Sequence, residues 1–288
     1  MSLEDTIWRV IDLGLVDGAY HSAAEHTLYE SVKAKNSSPT LLFCDLKPTV
    51  SLGRSQNYHL DVDHDACRRR EVEVIRRKSG GQAVYIDEGY FVVSAIASPP
   101  FLTDNVTRLR ESFCLLLIDT LHSLSIPAEF RRPDNIVIPA PPTLRTLGNA
   151  GQVVTPNQGI LAQGSIRHHF LDFEALLDTL QVNGQKLQPY QDQIRNVLTD
   201  VVSYKPQITK KQLQDAFLGT FCRNMNTSYR HAAFTSQEKQ ELQQQLERVN
   251  DISWLQGEPR YPSRGVCYFF VGDDNLVPSL RPDTIHES

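Results

Sequence analysis

Apolar residues in the first half of the chain recur at two different periods. Trp8 to Asp12 is a short β-prone run, and Ala24, Leu28 and Val32 then repeat at helical spacing between Ala19 and Val32. Thr40 to Cys44 and Thr49 to Leu52 read as strands on either side of a Lys47-Pro48 turn, and Asp61 to Arg70 as a short helix. Val72 to Ile75 and Ala83 to Ile86 read as strands separated by a polar turn, residues 76–82, with two glycines. Phe91 to Ala97 is apolar on both alternating faces, which predicts a central strand covered on both sides.

Helical periodicity is clearest from Val106 to Leu124, where Leu109, Phe113, Leu116, Leu117, Leu121 and Leu124 form one broad stripe ahead of Pro127. Strand character returns at Asn135 to Ile138, around Val153 and at Ile160 to Ile166, around a Pro-rich turn at 139–142. After Asp172 the pattern turns helical. Thr209 to Gln212 and Thr235 to Glu238 have capping-box form, and Leu242 and Leu246 give the Gln-rich stretch a helix face. From Gly257 the chain is rich in Pro, Gly and Asp, and Val266 to Val271 is the one apolar run there, a candidate edge strand. The spacing between residues 40 and 97 is hairpin-like and lacks regular βαβ crossovers. The predicted class is therefore α+β, with a mixed, largely antiparallel sheet flanked by helices and a helical C-terminal part.

Composition narrows the function classes. The 288 residues are 40% hydrophobic and 22% charged, ordinary for a globular chain with one large or two modest cores. The longest apolar run, Val266 to Val271, is too short to span a membrane, and the first six residues lack a secretory pattern. A net charge of −5 does not favour a nucleic acid partner. Cys44, Cys67, Cys114, Cys222 and Cys267 are scattered, with no C-x-x-C pair. They read as reduced thiols of a cytoplasmic protein, not a disulfide frame or zinc site. The sequons at Asn36, Asn105 and Asn226 are then chance matches.

Candidate chemistry concentrates in residues 76–85. Arg76, Arg77 and Lys78 precede Ser79, Gly80 and Gly81 between two strands. Glycine lets backbone N–H groups approach an anion, and arginine offers a planar fork to phosphate or carboxylate. A surface hairpin with solvated cations is the alternative. His168, His169 and Asp172 lack a third metal ligand at suitable spacing, and Arg68 to Arg70 reads as a solvated helix end. His21 and Glu25 lie one helical turn apart on one face.

The same segment resembles the signature loop of the lipoate–protein ligase and octanoyltransferase family: Arg-Arg-x-Ser/Thr-Gly-Gly-x-Ala-Val, followed shortly by an Asp, here Asp87. Further segments resemble the family in order: Trp8 to Asp12, Pro48 to Asn57, Arg132 to Ile136, Gly148 to Ala150 and Gly159 to Ile166. The resemblance spans roughly residues 6 to 254. It implies a biotin/lipoate ligase-like fold over residues 1–255, helical from about residue 188, with residues 256–288 as a tail. It also implies an acyl slot beneath the loop, with Arg76, Ser79, Gly80, Gly81 and Ala83 binding the acyl carbonyl end or an adenylate phosphate. Gly148, Ala150 and Gly164 are substrate-binding by the same token. His21 and Glu25 fall where the family carries polar residues near the slot.

Three positions depart from the family pattern. Arg145 stands where the family places a lysine three residues before the Gly of Lys-x-x-Gly-x-Ala, so the resemblance gives it the role of catalytic cation. Gln163 replaces the histidine of a His-Gly-Ser/Thr element, and the cysteine of thioester-forming transferases is missing. The activity implied is ATP-dependent attachment of lipoate, or octanoate, to a lysine through an acyl-adenylate, with Mg²⁺ offsetting the triphosphate charge. The acceptor would be a lipoyl carrier domain, of the glycine cleavage H protein or 2-oxoacid dehydrogenase E2 type. Transfer from an acyl carrier protein donor and a non-catalytic acyl-binding paralogue are the alternatives.

Overall fold

The computed structural model describes residues 6–132, 134–141, 143–155, 158–170, 172–182 and 184–257, and two short strands at 270–271 and 274–275. The chain begins with β1 (Ile7–Val16), α1 (Gly18–Lys33), β2 (Thr40–Leu46), β3 (Thr49–Leu52) and α2 (His64–Arg69). Next come β4 (Glu73–Arg76), β5 (Val84–Ile86), β6 (Tyr90–Ala97), α3 (Val106–Ser123), β7 (Glu129–Arg131), β8 (Asn135–Ala140), β9 (Thr143–Thr155) and β10 (Gly159–Arg167). The remainder is α4 (Phe173–Thr179), β11 (Gln181–Val182), β12 (Gln185–Lys186), α5 (Gln191–Val197), α6 (Lys210–Met225), β13 (Ser228–His231), α7 (Ser236–Val249), α8 (Ile252–Gln256), β14 (Phe270–Val271) and β15 (Asp274–Asn275).

Eight of the described strands form one sheet in the order β13-β1-β2-β6-β10-β9-β8-β7, parallel only at β13-β1-β2. As predicted, β6 is buried along its whole length. One face of the sheet packs on α3 and α6, where the Leu109, Phe113, Leu117 and Leu121 stripe meets Phe217 and Phe221. The other face is covered by α1 and, beside it, by a second sheet ordered β4-β3-β5. A cavity opens between these two sheets. Both expected capping boxes are present, at Thr209/Gln212 and Thr235/Glu238.

Thr40 to Cys44 and Thr49 to Leu52 are strands on either side of the Lys47-Pro48 turn as expected, although they join different sheets, and three other expectations are corrected. β2 joins the large sheet, whereas β3 pairs parallel with β4 and antiparallel with β5. β1 runs four residues past Asp12, through an irregularity at Gly14, whose φ of +65° suits glycine and whose N–H donates to Asp12 Oδ1. The helix expected over Asp61 to Arg70 forms only from His64, capped by Asp63. The helical C-terminal part also returns a strand, β13, to the edge of the large sheet beside β1. Of the expected tail, Phe270–Val271 pairs with Asp274–Asn275, and the rest beyond residue 257 lies outside the described residues. Among the described residues no helix is long and apolar enough to cross a membrane.

Candidate active site

The cavity encloses about 680 Å³ of empty space, part of it open to solvent. Its floor is two rows across the large sheet. One runs Gly151 and Gln163 on β9 and β10, and the next Asn149, Ser165 and Val92 on β9, β10 and β6, each set in register. Leu46, Ile75, Val84, Ile86 and Val92 supply a buried apolar wall. The first turns of α1 supply a polar one, through His21, Ser22 and Glu25. A slot with one apolar and one polar side suits an amphiphilic ligand.

The Ser79–Gly81 loop closes the cavity over β9, since a Cβ at Gly151 would stand 3.8 Å from both Gly80 O and Ser79 Oγ. Gly81 has φ +95°, and a Cβ at Gly53 would lie 1.9 Å from Gly81 O, so both positions require glycine. Among the described residues, no backbone carbonyl accepts from the N–H of Gly80 or Gly81. Ser79 Oγ is buried with no partner. All three residues line the cavity, so these groups are candidate donors to a bound anion.

The three cations before the loop have three separate fates. Arg76, which the resemblance made a ligand contact, does not line the cavity. It is 2% exposed, and its guanidinium donates to the carbonyls of Gly53, Arg54, Gln56, Leu255 and Gln256. All three guanidinium nitrogens are thus engaged with backbone carbonyls, so here Arg76 holds backbone. Arg77 does reach the cavity wall, donating to the carbonyls of Ser51, Gly80 and Gln82. Lys78 turns away to Glu30 at 2.5 Å and lies over the Tyr29 ring.

Glu25 is 2% exposed and has no Lys or Arg among its described partners. Its oxygens accept from Ser94 Oγ and from Gln163 Nε2 at 2.5 and 2.6 Å, and His21 Nε2 stands 3.4 Å away. A buried carboxyl group needs such partners, and the described ones here are a hydroxyl, an amide and one histidine. Around it, His21 Nε2, Ser22 Oγ and Gln163 Oε1 are buried without hydrogen-bond partners. A bound polar group would satisfy such atoms. Ser22 and Glu25 share the buried face with His21 because α1 is buried nearly all round. Asp134 also lines the cavity, where burial raises its carboxyl above the ordinary range.

The other expected residues divide. Ser79, Gly80, Gly81, Ala150 and Gly164 line the cavity, whereas Ala83 and Gly148 are buried beside it. The glycines at 148 and 164 also have packing reasons. A Cβ would meet Ser165 O at 2.2 Å in one case and Leu117 Cδ1 at 2.5 Å in the other. Arg145, expected against the acyl carbonyl, is exposed on β9 opposite Ile138 and is not among the residues of the cavity wall. A bulge at Leu147, between the pairs Ile136–Gly148 and Val137–Thr146, breaks the alternation that would carry position 145 inward. Asp87 instead closes a turn by accepting from the Gly89 N–H at 2.9 Å. None of the four described cysteines lines the cavity. Burial raises the thiols, Cys67 to about 12, so they are poor nucleophiles. His168 and His169 share a hydrogen bond between their Nδ1 atoms, and no group of three or more metal-ligating side chains occurs among the described residues.

The model of the lipoyl protein ligase A/B catalytic domain matches residues 17–222. The chain belongs to this family. That match takes in α1, the small sheet, the strands β2 and β6 to β10 of the large one and the signature loop, so all the cavity walls described above lie within the lipoyl protein ligase A/B domain. Among curated relatives, octanoyltransferase LipM of Staphylococcus epidermidis is 22% identical over 273 residues, covering 86% of this chain and 98% of its own. LipM of Staphylococcus aureus is 24% identical, with 86% and 98% covered. Among solved structures, the bipartite lipoate protein ligase of Thermoplasma acidophilum, described with its E2 lipoyl domain, superposes with a TM-score of 0.76. It is 18% identical, with 89% of this chain and 98% of that one covered. A lipoate-protein ligase A bound with ATP gives 0.73 at 19% identity, with 88% and 99% covered. These two share the mixed, largely antiparallel fold.

Proposed function

We propose that this chain attaches a lipoyl or octanoyl group to a lysine of a lipoyl carrier domain, activating the free acid with ATP. The observation that carries the reading is the cavity beneath the Ser79–Gly81 loop. It joins an apolar wall to four buried polar atoms without partners: Ser79 Oγ, Ser22 Oγ, His21 Nε2 and Gln163 Oε1. The acyl chain would lie along Leu46, Val84, Ile86 and Val92, with its carboxyl end at Ser79 and the amides of Gly80 and Gly81.

A free carboxylate is a poor electrophile, so an oxygen of the acid first attacks the α-phosphorus of ATP and pyrophosphate leaves. The lysine amine then attacks the acyl carbonyl, AMP departs with the bonding pair, and the amine loses a proton. The N–H groups at the loop would stabilise charge on the carbonyl oxygen as it develops. Mg²⁺ takes one or two carboxylates together with substrate phosphates, and Asp134 is a cavity carboxylate that fits this pattern. The ion would supply charge neutralisation on the phosphates. The Thermoplasma ligase works with an E2 lipoyl domain, which supports an acceptor of that type, and a glycine cleavage H protein is the other carrier to try. A cytoplasmic location belongs to the same proposal, in keeping with free cysteines at the four described positions.

Transfer from an octanoyl–acyl carrier protein is the second reading, favoured by the names of the two full-length LipM relatives. The absence of a described cysteine from the cavity wall weighs against a thioester on this chain. The deciding experiment offers a lipoyl carrier domain either lipoate with ATP or octanoyl–acyl carrier protein, and weighs the carrier by mass spectrometry. A lipoyl mass gain that needs ATP supports ligation, and a gain only with the carrier donor supports transfer. No gain with either donor, while calorimetry still shows lipoate or octanoate bound, would leave a binding role without turnover.

A further inference from the structure

The five carbonyls that receive Arg76 belong to two different parts of the chain. Three, of Gly53, Arg54 and Gln56, shape the turn after β3. The other two, of Leu255 and Gln256 at the end of α8, each accept at 2.9 Å. α8 returns the bond, because Trp254 Nε1 donates to Arg76 O at 2.9 Å. The exchange seats α8 on the end of β4 from both directions. Gly257, at φ +53°, leaves room for it, as a Cβ there would stand 2.9 Å from Arg76 Nε. The Trp254 ring is held in turn by an edge contact with His26 of α1 at 5.5 Å and by Arg248 at 5.4 Å.

From Arg76 the contacts run to the signature loop without a gap. The turn that Arg76 holds donates from Arg54 N to Ser79 O at 3.0 Å, and at Gly53 it packs directly against Gly81 O. None of Arg76, Trp254, Leu255 and Gln256 lines the cavity, yet each is linked through the turn at 53–56 to residues that do.

We propose that Trp254 and the C-terminal carbonyls of α8 are a positioning device for the signature loop. By fixing Arg76 they hold the turn at 53–56, and that turn sets the shape in which Ser79, Gly80 and Gly81 meet the ligand. The proposal rests on the loop being the acyl-binding element, and it assigns Trp254 no contact with substrate.

Two variants of the full chain test it. Trp254→Phe keeps an aromatic ring between His26 and Arg248 but removes the indole N–H, and Trp254→Ala removes both. Amide hydrogen exchange reads the loop with no ligand present. The amides of Arg54 and Gln56 are expected to exchange about fivefold faster in Trp254→Phe, the worth of one hydrogen bond, and faster again in Trp254→Ala. The amides of Ile96 and Leu161 in the core sheet should keep their parent rates. Calorimetry with lipoate and with octanoate should show a matching loss of affinity at an unchanged melting temperature in Trp254→Phe. Unchanged exchange at Arg54 and Gln56 in Trp254→Phe overturns the proposal, and so does an equal rise across loop and core. Should the parent bind neither acid, the acyl-binding reading fails, and the exchange data still decide whether α8 holds the loop.

Discussion

At the scale of single residues, the tightest constraint in the site is at Gly53, a position outside the signature loop. With Gly81 O only 1.9 Å from its Cβ position, any side chain there must push the loop away from the ligand. Gly53→Val is therefore expected to weaken acyl binding at least tenfold in calorimetry, although residue 53 does not line the cavity. Arg145 gives the opposite expectation. Its side chain is exposed, so Arg145→Ala should change lipoate or octanoate affinity less than about twofold. A larger loss would show that the guanidinium swings into the cavity when ligand binds. The types and order of the loop residues were legible in the sequence, as were the cavity positions of Ser79, Gly80 and Gly81. The division of labour among Arg76, Arg77 and Lys78 was not. Three adjacent cations look alike in one dimension, and only the carbonyls and carboxylates brought near them in three dimensions separate their roles.

At the scale of elements, α7 shows how a local signal becomes a long-range tie. Its capping box places Glu238 where it accepts from the Thr235 N–H at 2.8 Å. The same carboxylate takes a two-pronged contact from Arg9 of β1, at 2.8 and 3.1 Å, and a bond from Ser37. Burial works to raise this carboxyl, but the bonds from Arg9, Ser37 and Thr235, with the Arg9 charge, overcome it and hold the group at about 2. A depressed carboxylate contributes stability that is full above its ordinary value near 4.5 and lost as pH falls toward 2. Glu238→Gln leaves Arg9 buried without its counter-charge and is expected to cost about 3 kcal/mol at neutral pH. Urea unfolding should show this as a lower midpoint at unchanged slope. The helix start was legible in Thr235 to Glu238, whereas the partner lies 229 residues away on β1 and leaves no local trace.

For the whole molecule, acid is expected to act first where α1, the loop and α7 meet. His26 is 2% exposed, and burial together with the charge of Lys78 lowers its pKa to about 4. It therefore stays neutral in the fold while an unfolded chain takes up a proton below about 6.5. Stability should be full above that pH and fall as pH drops toward 4, by about 2 kcal/mol between pH 7 and pH 5. Denaturant midpoints across that interval check the slope, which His26→Phe should flatten.

The features the sequence determined by itself were those that depend on neighbours along the chain. The stripe of α3, the two-sided burial of β6 and both capping boxes follow from periods of two to four residues, and they stand where the pattern put them. Gly81 of the signature loop belongs to the same class, because a backbone that must reach φ +95° restricts its own residue type. Tertiary structure decided which sheet each strand joined, since β2 and β3 are both buried nearly throughout yet pair with different strands. It also decided that Gln163 and Ser94 enclose Glu25, that Arg76 serves α8, and that a one-residue bulge leaves Arg145 outside. Each of these turns on residues tens to nearly two hundred positions apart, or on a break in alternation, and on energies that exist only once the buried groups share one low-dielectric space.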